Sequence, residues 1–256
     1  MFRHAIVRPP APNFAEGLTT VDLGTPSIEL ALSQHEGYCR ALERLGLELT
    51  RLPADARFPD STFVEDTAVI TARGAVLTRP GAASRAGEVA AIEAALSPFF
   101  GDPRRIEAPG TLDGGDVCGA GEHFFIGLSR RTNEAGALQL ARFLADDGYG
   151  SSLVDIRGID GILHLKSGIG WLGGRALVVI DSLAADPAFG GWERIPVAAG
   201  EDYAANCVLV NDAVLLAAGF PRLERALGER GHRTVALPMS EFQKMDGGPS
   251  CLSLRF

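Results

Sequence analysis

Ala-Val-Ile-Thr-Ala-Arg-Gly-Ala-Val-Leu-Thr, Ala68–Thr78, sets two short β-favouring runs on either side of Arg73-Gly74. Apolar runs joined by two residues that include a glycine predict an antiparallel hairpin. Three more stretches repeat the design: VCGA and HFFIGL around Gly121-Glu122, GIGWL and RALVVI around Gly173-Gly174, and CVLV and AVLLAA around Asn211-Asp212. The turns lie 48, 52 and 38 residues apart. Such a period marks related supersecondary units rather than one continuous sheet.

Helical periodicity follows the hairpins: SRAGEVAAIEAALSPFF (84–100), TNEAGALQLARFLADDG (132–148) and PRLERALGERG (221–231), with a weaker segment around Ser182–Phe189 after the third. Each helix leads to a further strand, as RTVAL does after the fourth hairpin. A fifth unit lacks a hairpin in linear order. Pairing the C-terminal run CLSLRF with the N-terminal run FRHAIVR supplies it, with SIELALSQHEGYCRALERLG (27–46) as its helix and LELTRL (47–52) as its closing strand. The expectation is one α/β domain over residues 1–256, a five-bladed αβ propeller of pseudo-fivefold repeats closed by pairing the terminal strands. A doubly wound sheet is the lesser alternative, because two-residue turns join antiparallel and not parallel neighbours. Gly168–Gly173 spells GxGxxG, but a strand follows it where a dinucleotide site needs a helix, so it reads as a crowded hairpin.

Charge and composition narrow the partners. The 256 residues carry 24 Lys+Arg against 32 Asp+Glu, a formal net charge of −8, and 46% are hydrophobic. That apolar fraction supports a substantial core. A net negative chain without a Lys/Arg run argues against nucleic acid or an anionic membrane as partner, which leaves a small molecule. No stretch approaches the ~18–20 uninterrupted apolar residues of a membrane span, and MFRHAIVRPP has no signal-peptide apolar region, so a cytoplasmic location is expected. Cys39, Cys118, Cys207 and Cys251 are scattered without CxxC spacing. They read as free thiols and not as a disulfide framework or zinc site.

The stretch before each unit's first strand is polar or reactive in all five: DSTFVED ending at Asp66, LDGGD at Asp116, HLKS at Ser167, YAAN at Asn206 and GGPSC at Cys251. Rotation about one axis would turn these five toward a common pocket. Taken singly, each has a plain structural explanation. Asp113 and Asp116 suit turns beside glycine, His164 suits a hydrogen-bonded core position, and Asp60, Glu65 and Asp66 suit loop caps facing solvent. Their shared place in a repeat favours a site. The Cys251 thiol wants a base and proton donor, which His164 provides, and Asp113 can orient the far imidazole nitrogen. Asp60 and Asp66 remain to hold something cationic and rich in donors, and a guanidinium has the planar fork that matches carboxylates. Arg85 and Arg131 fall just after a hairpin's second strand, at the mouth of the next helix, where the dipole disfavours cations. Both suit the carboxylate of an amino-acid ligand.

In the motifs FPDSTFVED, RPGAASRAGE, EAPGTLDGGD, GLSRRTNEAG, HLKSG, YAANC and MDGGPSCLS, which occur in family order nearly end to end, the chain resembles the dimethylarginine dimethylaminohydrolases of the guanidino-group-modifying superfamily. The resemblance implies hydrolysis of Nω-methylated arginine to citrulline and a methylamine, without metal or organic cofactor, in an enzyme that could be a homodimer. It implies Cys251 as nucleophile, His164 as general acid and base, and Asp113 as its orienting carboxylate, where some bacterial relatives carry Glu. It also implies Asp60 and Asp66 at the guanidinium with Glu65 nearby, Arg85 and Arg131 at the carboxylate, Asp246 among the substrate-binding residues, and Leu18 on a flap over the pocket. Pro249 departs from the residues usual at its position. An arginine deiminase is disfavoured because HLK lacks the acidic residue of the deiminase HxD pattern. A binding protein on the same propeller, like the ribosome anti-association factor, would lack the cysteine and histidine.

Overall fold

Every expected hairpin forms in the computed structural model, which describes residues 1–256, although the first turns at Ala72-Arg73, one residue earlier than predicted, and the third through Gly173–Arg175 instead of two residues. Strands β1 (His4–Val7) and β2 (Glu48–Arg51) open the chain. β3 (Ala68–Thr71), β4 (Gly74–Leu77) and β5 (Arg104–Arg105) make a second sheet, and β6 (Val117–Ala120), β7 (His123–Leu128) and β8 (Gly150–Asp155) a third. β9 (Ile169–Trp171), β10 (Ala176–Val179) and β11 (Glu193–Pro196) form the fourth, and β12 (Val208–Val210), β13 (Ala213–Ala217) and β14 (Arg233–Leu237) the fifth. The last strand, β15 (Leu254–Arg255), returns to β1 and completes the first sheet in the order β15-β1-β2. The pairing of the two chain ends is as the sequence predicts, with Ala5 opposite Arg255 and Ile6 opposite Leu254.

All five sheets share one plan: the middle strand is antiparallel to the first and parallel to the third. A parallel third strand requires a crossover, and a helix supplies it in every sheet but the fourth. Helix α1 (Ile28–Arg44) is capped by Ser27, whose side chain accepts the Leu30 amide at 3.3 Å. α3 (Glu134–Asp146) is capped in the same way by Asn133 and buries Ala137, Leu140 and Leu144 beside Phe124 and Ile126 of β7. Each fully buried leucine contributes roughly 2 kcal/mol to such a contact. α4 (Pro221–Glu229) starts on a proline, which the first helical turn tolerates.

Two helical stretches differ from expectation. Residues 84–100 give a 3-10 segment, Ala83–Glu88, before the shorter α2 (Val89–Leu96). Here Arg85 and Glu88 turn inward to bond each other, and Gly87 lies so close to Phe58 that a Cβ would stand 2.3 Å from its ring. The weak segment around Ser182–Phe189 resolves into two single turns, Asp181–Leu183 and Pro187–Phe189. A short helix, α5 (Ser240–Gln243), was not anticipated.

The stretches before the first strands also share a form. Val64–Thr67, Gly114–Asp116, Leu165–Ser167 and Asp202–Ala205 are each a single 3-10 turn, and residues 249–252 form a turn before β15. Side chains at matching places bond across units: Asp66 Oδ1 accepts the Gly115 amide at 2.8 Å, Asp116 Oδ1 the Leu165 amide at 2.9 Å, and Asn206 Oδ1 the Ser250 amide at 3.0 Å. Buried and hydrogen-bonded, these groups join successive units.

Candidate active site

Leu18, Asp60, Asp66, Arg85, Arg131, His164, Asp246 and Cys251 line one small pocket beside those turns. Their separation in sequence is bridged by the repeat, which delivers each from a turn before a first strand, from a loop after a second strand, or from the loops around the chain's ends.

Cys251 sits in the turn that ends GGPSC. Both glycines are demanded by close approach: a Cβ on Gly247 would stand 2.1 Å from the Phe63 ring, and one on Gly248 2.5 Å from Asn206 Cγ. The Tyr203 hydroxyl donates to the Gly247 carbonyl at 2.7 Å and fixes the loop. Among the four free cysteines only Cys251 is partly open; Cys39, Cys118 and Cys207 are buried. Its sulfur contacts Gly248 N at 3.4 Å, Asn206 Nδ2 at 3.6 Å and Ser250 Oγ at 3.8 Å. Burial, with Glu65 and Asp66 nearby, pushes its pKa above that of an ordinary thiol, and the Gly248 and Asn206 donors oppose the rise. His164 makes no hydrogen bond to it.

His164 is buried, with Nε2 3.0 Å from Asp113 Oδ2 and 4.0 Å from Asp66 Oδ1. Burial alone would lower its pKa, but Asp66, the Asp113 hydrogen bond and Asp116 outweigh it and raise the imidazole to about 9. Asp113, wholly buried, accepts the Gly81 amide on its other oxygen at 2.8 Å. Gly115 gives the imidazole its place, since a Cβ there would lie 2.8 Å from His164 Nδ1. Near neutrality the resting pocket therefore holds an imidazolium, where a free imidazole in water would be mostly neutral, beside a thiol kept neutral more firmly than in water.

Asp66 is ion-paired to Arg85 Nη1 at 2.5 Å. Although burial opposes ionisation, His164, Arg85 and the Gly115 amide keep its carboxyl below the usual carboxylate range. Arg85 is more committed than the sequence suggests. Its Nε and Nη2 bond Glu88 at 3.0 and 2.8 Å, and Nη2 also reaches the Asp60 and Phe63 carbonyls at 3.3 and 3.1 Å. Arg131 differs: its Nη1 is buried without a hydrogen-bond partner, and the Asp113 carboxylate lies 3.9 Å away.

Over the opening lies the segment carrying Leu18. The Leu18 amide donates to Asp60 Oδ1 at 3.0 Å, while its side chain is 41% exposed. Burial raises the Asp60 pKa, against the pull of Arg85. Asp246, at φ 59°, accepts the Thr20 amide at 2.5 Å and both the Thr19 and Thr20 hydroxyls. With the segment so held, the pocket's free volume is about 20 Å³, close to what one water needs.

Glu65 is not brought into this lining. Its carboxylate accepts Ser250 Oγ at 2.9 Å and pairs with Lys166 at 2.6 Å and Arg255 at 3.1 Å, facing a separate cavity of about 170 Å³. Asp66, Asp113 and His164 also offer ligand atoms within 4.8 Å of one another, as a metal trio would. The partners they have here are Arg85, Gly115, Gly81 and each other. The roles of two contributors escaped sequence reasoning. Glu88 could have been found from its i,i+3 spacing to Arg85. Asn206 was visible as the polar residue that closes YAAN, two before β12, but nothing local announces its contact with Cys251.

No family model matches the chain. A dimethylarginine dimethylaminohydrolase of Pseudomonas aeruginosa is 44% identical over 257 residues, covering 100% of both chains. One from Streptomyces coelicolor is 36% identical and covers 99% of this chain and 96% of that protein. Among solved structures, a cysteine-to-serine mutant of the Pseudomonas aeruginosa enzyme complexed with citrulline superposes with a TM-score of 0.96 at 43% identity, covering 100% of each chain. With identity of this level over the whole length, the chain belongs to the dimethylarginine dimethylaminohydrolase family.

Proposed function

We propose that the protein hydrolyses Nω-methylated L-arginine to L-citrulline and dimethylamine or methylamine, through a covalent thiouronium on Cys251. The observation that carries the reading is the division of one pocket. A thiol and an Asp113-bound imidazolium stand with the Asp60 and Asp66 carboxylates, and Arg131 keeps an unpartnered guanidinium nitrogen in the same lining. Carboxylates suit the substrate's guanidinium, and Arg131 suits its α-carboxylate. Arg85 then acts chiefly by holding Asp66 in place, and Glu65 by holding Ser250 behind the nucleophile.

The resting protonation states set the sequence of steps. A bound guanidinium beside Cys251 supplies the positive charge that its thiol lacks, and the proton leaves to solvent. The sulfur attacks the guanidinium carbon, forming a C–S bond. His164, charged at neutral pH, gives its proton to the methylated nitrogen, the C–N bond breaks and the amine departs. Neutral His164 then takes a proton from water as its oxygen attacks the same carbon; the C–S bond breaks, the remaining hydroxyl proton passes to the departing sulfur to restore the thiol, and citrulline is released. Atoms balance without metal or organic cofactor. Asp113 keeps the imidazole oriented throughout, and fixed charges in a nearly dry pocket supply several kcal/mol of stabilisation.

The same reading takes residues 1–256 as one catalytic domain whose five sheets close as an αβ propeller. Neighbouring first strands touch at β15 with β3, β6 with β9 and β9 with β12, and the 170 Å³ cavity is lined by residues from the first strands of all five sheets. No helix is long and apolar enough to cross a membrane; we place the enzyme in the cytoplasm, acting on a small molecule alone or as a homodimer. The test is a product assay with dimethylarginine, monomethylarginine and arginine, measuring citrulline with the released amine. Methylated substrates should be turned over much faster than arginine. Faster release of ammonia from arginine would move the assignment to a deiminase, and no turnover of any would favour a binding protein.

A further inference from the structure

We propose that Asn206 is a catalytic residue whose side-chain amide donates to the Cys251 sulfur and stabilises the attacking thiolate. The inference rests on the thiol chemistry proposed above and adds a residue to it. Asn206 is buried, at 3% exposure, in the turn before β12. Its orientation is fixed by a group that can only donate: the Ser250 amide points at Oδ1 from 3.0 Å. The amide nitrogen must then face the other way, and it lies 3.6 Å from Cys251 Sγ, beside the Gly248 amide at 3.4 Å. Two N–H groups thus converge on the sulfur.

The repeat sharpens the point. Asp66 and Asp116 stand at the corresponding places before β3 and β6, and each accepts a backbone amide of the next unit through Oδ1, as Asn206 does. For that joint a carboxylate serves as well as an amide. Only beside the nucleophile does the chain use an amide, which keeps the accepting oxygen and replaces a second anionic oxygen with a donor. A carboxylate there would add its charge to those of Glu65 and Asp66, which already oppose ionisation of Cys251. The other charged or titratable groups facing the thiol are Tyr203 from the same turn and His164, Asp60, Asp246, Arg85 and Arg131 around the pocket. None of them hydrogen-bonds the sulfur.

The test is the pH dependence of iodoacetamide alkylation at Cys251, read by peptide mass analysis, in wild type, Asn206→Ala and Asn206→Asp. It needs no substrate, so it stands apart from the assignment of the reaction. Asn206→Ala removes the donor without adding charge and should raise the alkylation midpoint by about half a pH unit or more; Asn206→Asp keeps the acceptor for Ser250 and should raise it further, by more than a unit. Turnover of dimethylarginine by both variants should fall at neutral pH, about tenfold or more for Asp, and the deficit should shrink as pH rises. An Ala midpoint within 0.2 unit of wild type, or a deficit constant with pH, would reduce Asn206 to a joint between units and overturn the proposal. Shifted midpoints in a protein that releases no citrulline would leave the amide's role standing and refute the substrate reading instead.

Discussion

His164 links catalysis to stability, and the link has a calculable size. Its ordinary pKa of 6.5 rises to about 9 in the folded protein, through Asp66, Asp113 and Asp116 acting against burial. At about 1.4 kcal/mol per unit, the difference corresponds to about 3 kcal/mol of folding stability as an upper figure. Because the folded value is the higher one, this contribution is fully present below pH 6.5 and is lost as pH rises through about 9. The buried thiols complicate the alkaline side, since Cys39, Cys118 and Cys207 also have raised values and lose stability once the unfolded thiols ionise. A comparison with His164→Gln removes that background. Urea unfolding of both proteins between pH 6 and 9 should show wild type losing about 2–3 kcal/mol more than the variant, a difference in midpoint of roughly 1 M at ordinary urea slopes. Parallel curves would show that His164 is not held as an imidazolium, and the proton donor of the proposed mechanism would be gone.

Arg131→Ala should weaken substrate binding, raising KM roughly tenfold to a hundredfold with less effect on kcat, as expected when a charged contact of about 1.5–3 kcal/mol is removed; steady-state kinetics check it. Arg85→Ala leaves Asp66 and Glu88 buried without their cation and should destabilise the fold by about 3–5 kcal/mol, visible as a large drop in urea midpoint, where Arg131→Ala leaves the midpoint nearly unchanged. Asp246→Ala should free the Leu18 segment, so that hydrogen exchange at the Thr20 amide accelerates by tenfold or more while exchange in β7 is unaltered.

The fold was legible where local chemistry decides it. Two-residue turns at Ala72-Arg73, one residue before the predicted Arg73-Gly74, and at Gly121-Glu122 fix hairpins whatever surrounds them, and the repeat made it possible to pair β1 with β15 across the whole chain. The site was legible as a set of positions, because equivalent places in related units face the same region. Directions within the set were not legible. Glu65 and Asp66 are neighbours in one 3-10 turn, yet one carboxylate faces Lys166 and Arg255 and the other Arg85 and His164. Whether Arg85 is free to bind a ligand depends on Glu88 and on carbonyls of 60 and 63, which only the folded turn brings to it. The helix expected from residue 84 begins as a 3-10 segment for the same reason: inward hydrogen bonds of Arg85 and Glu88 outweigh a preference read from periodicity. Asp246 and Thr20 meet across 226 residues, a contact no spacing announces.

The central claim is that Cys251 attacks the guanidinium carbon of a methylated arginine. Acid quenching during turnover of dimethylarginine, followed by peptide mass analysis, tests it most directly. The account predicts a substrate-derived thiouronium on the peptide containing Cys251, absent in Cys251→Ser, which should release no citrulline. An adduct reproducibly on Cys39, Cys118 or Cys207, or citrulline formed by Cys251→Ser, would contradict it.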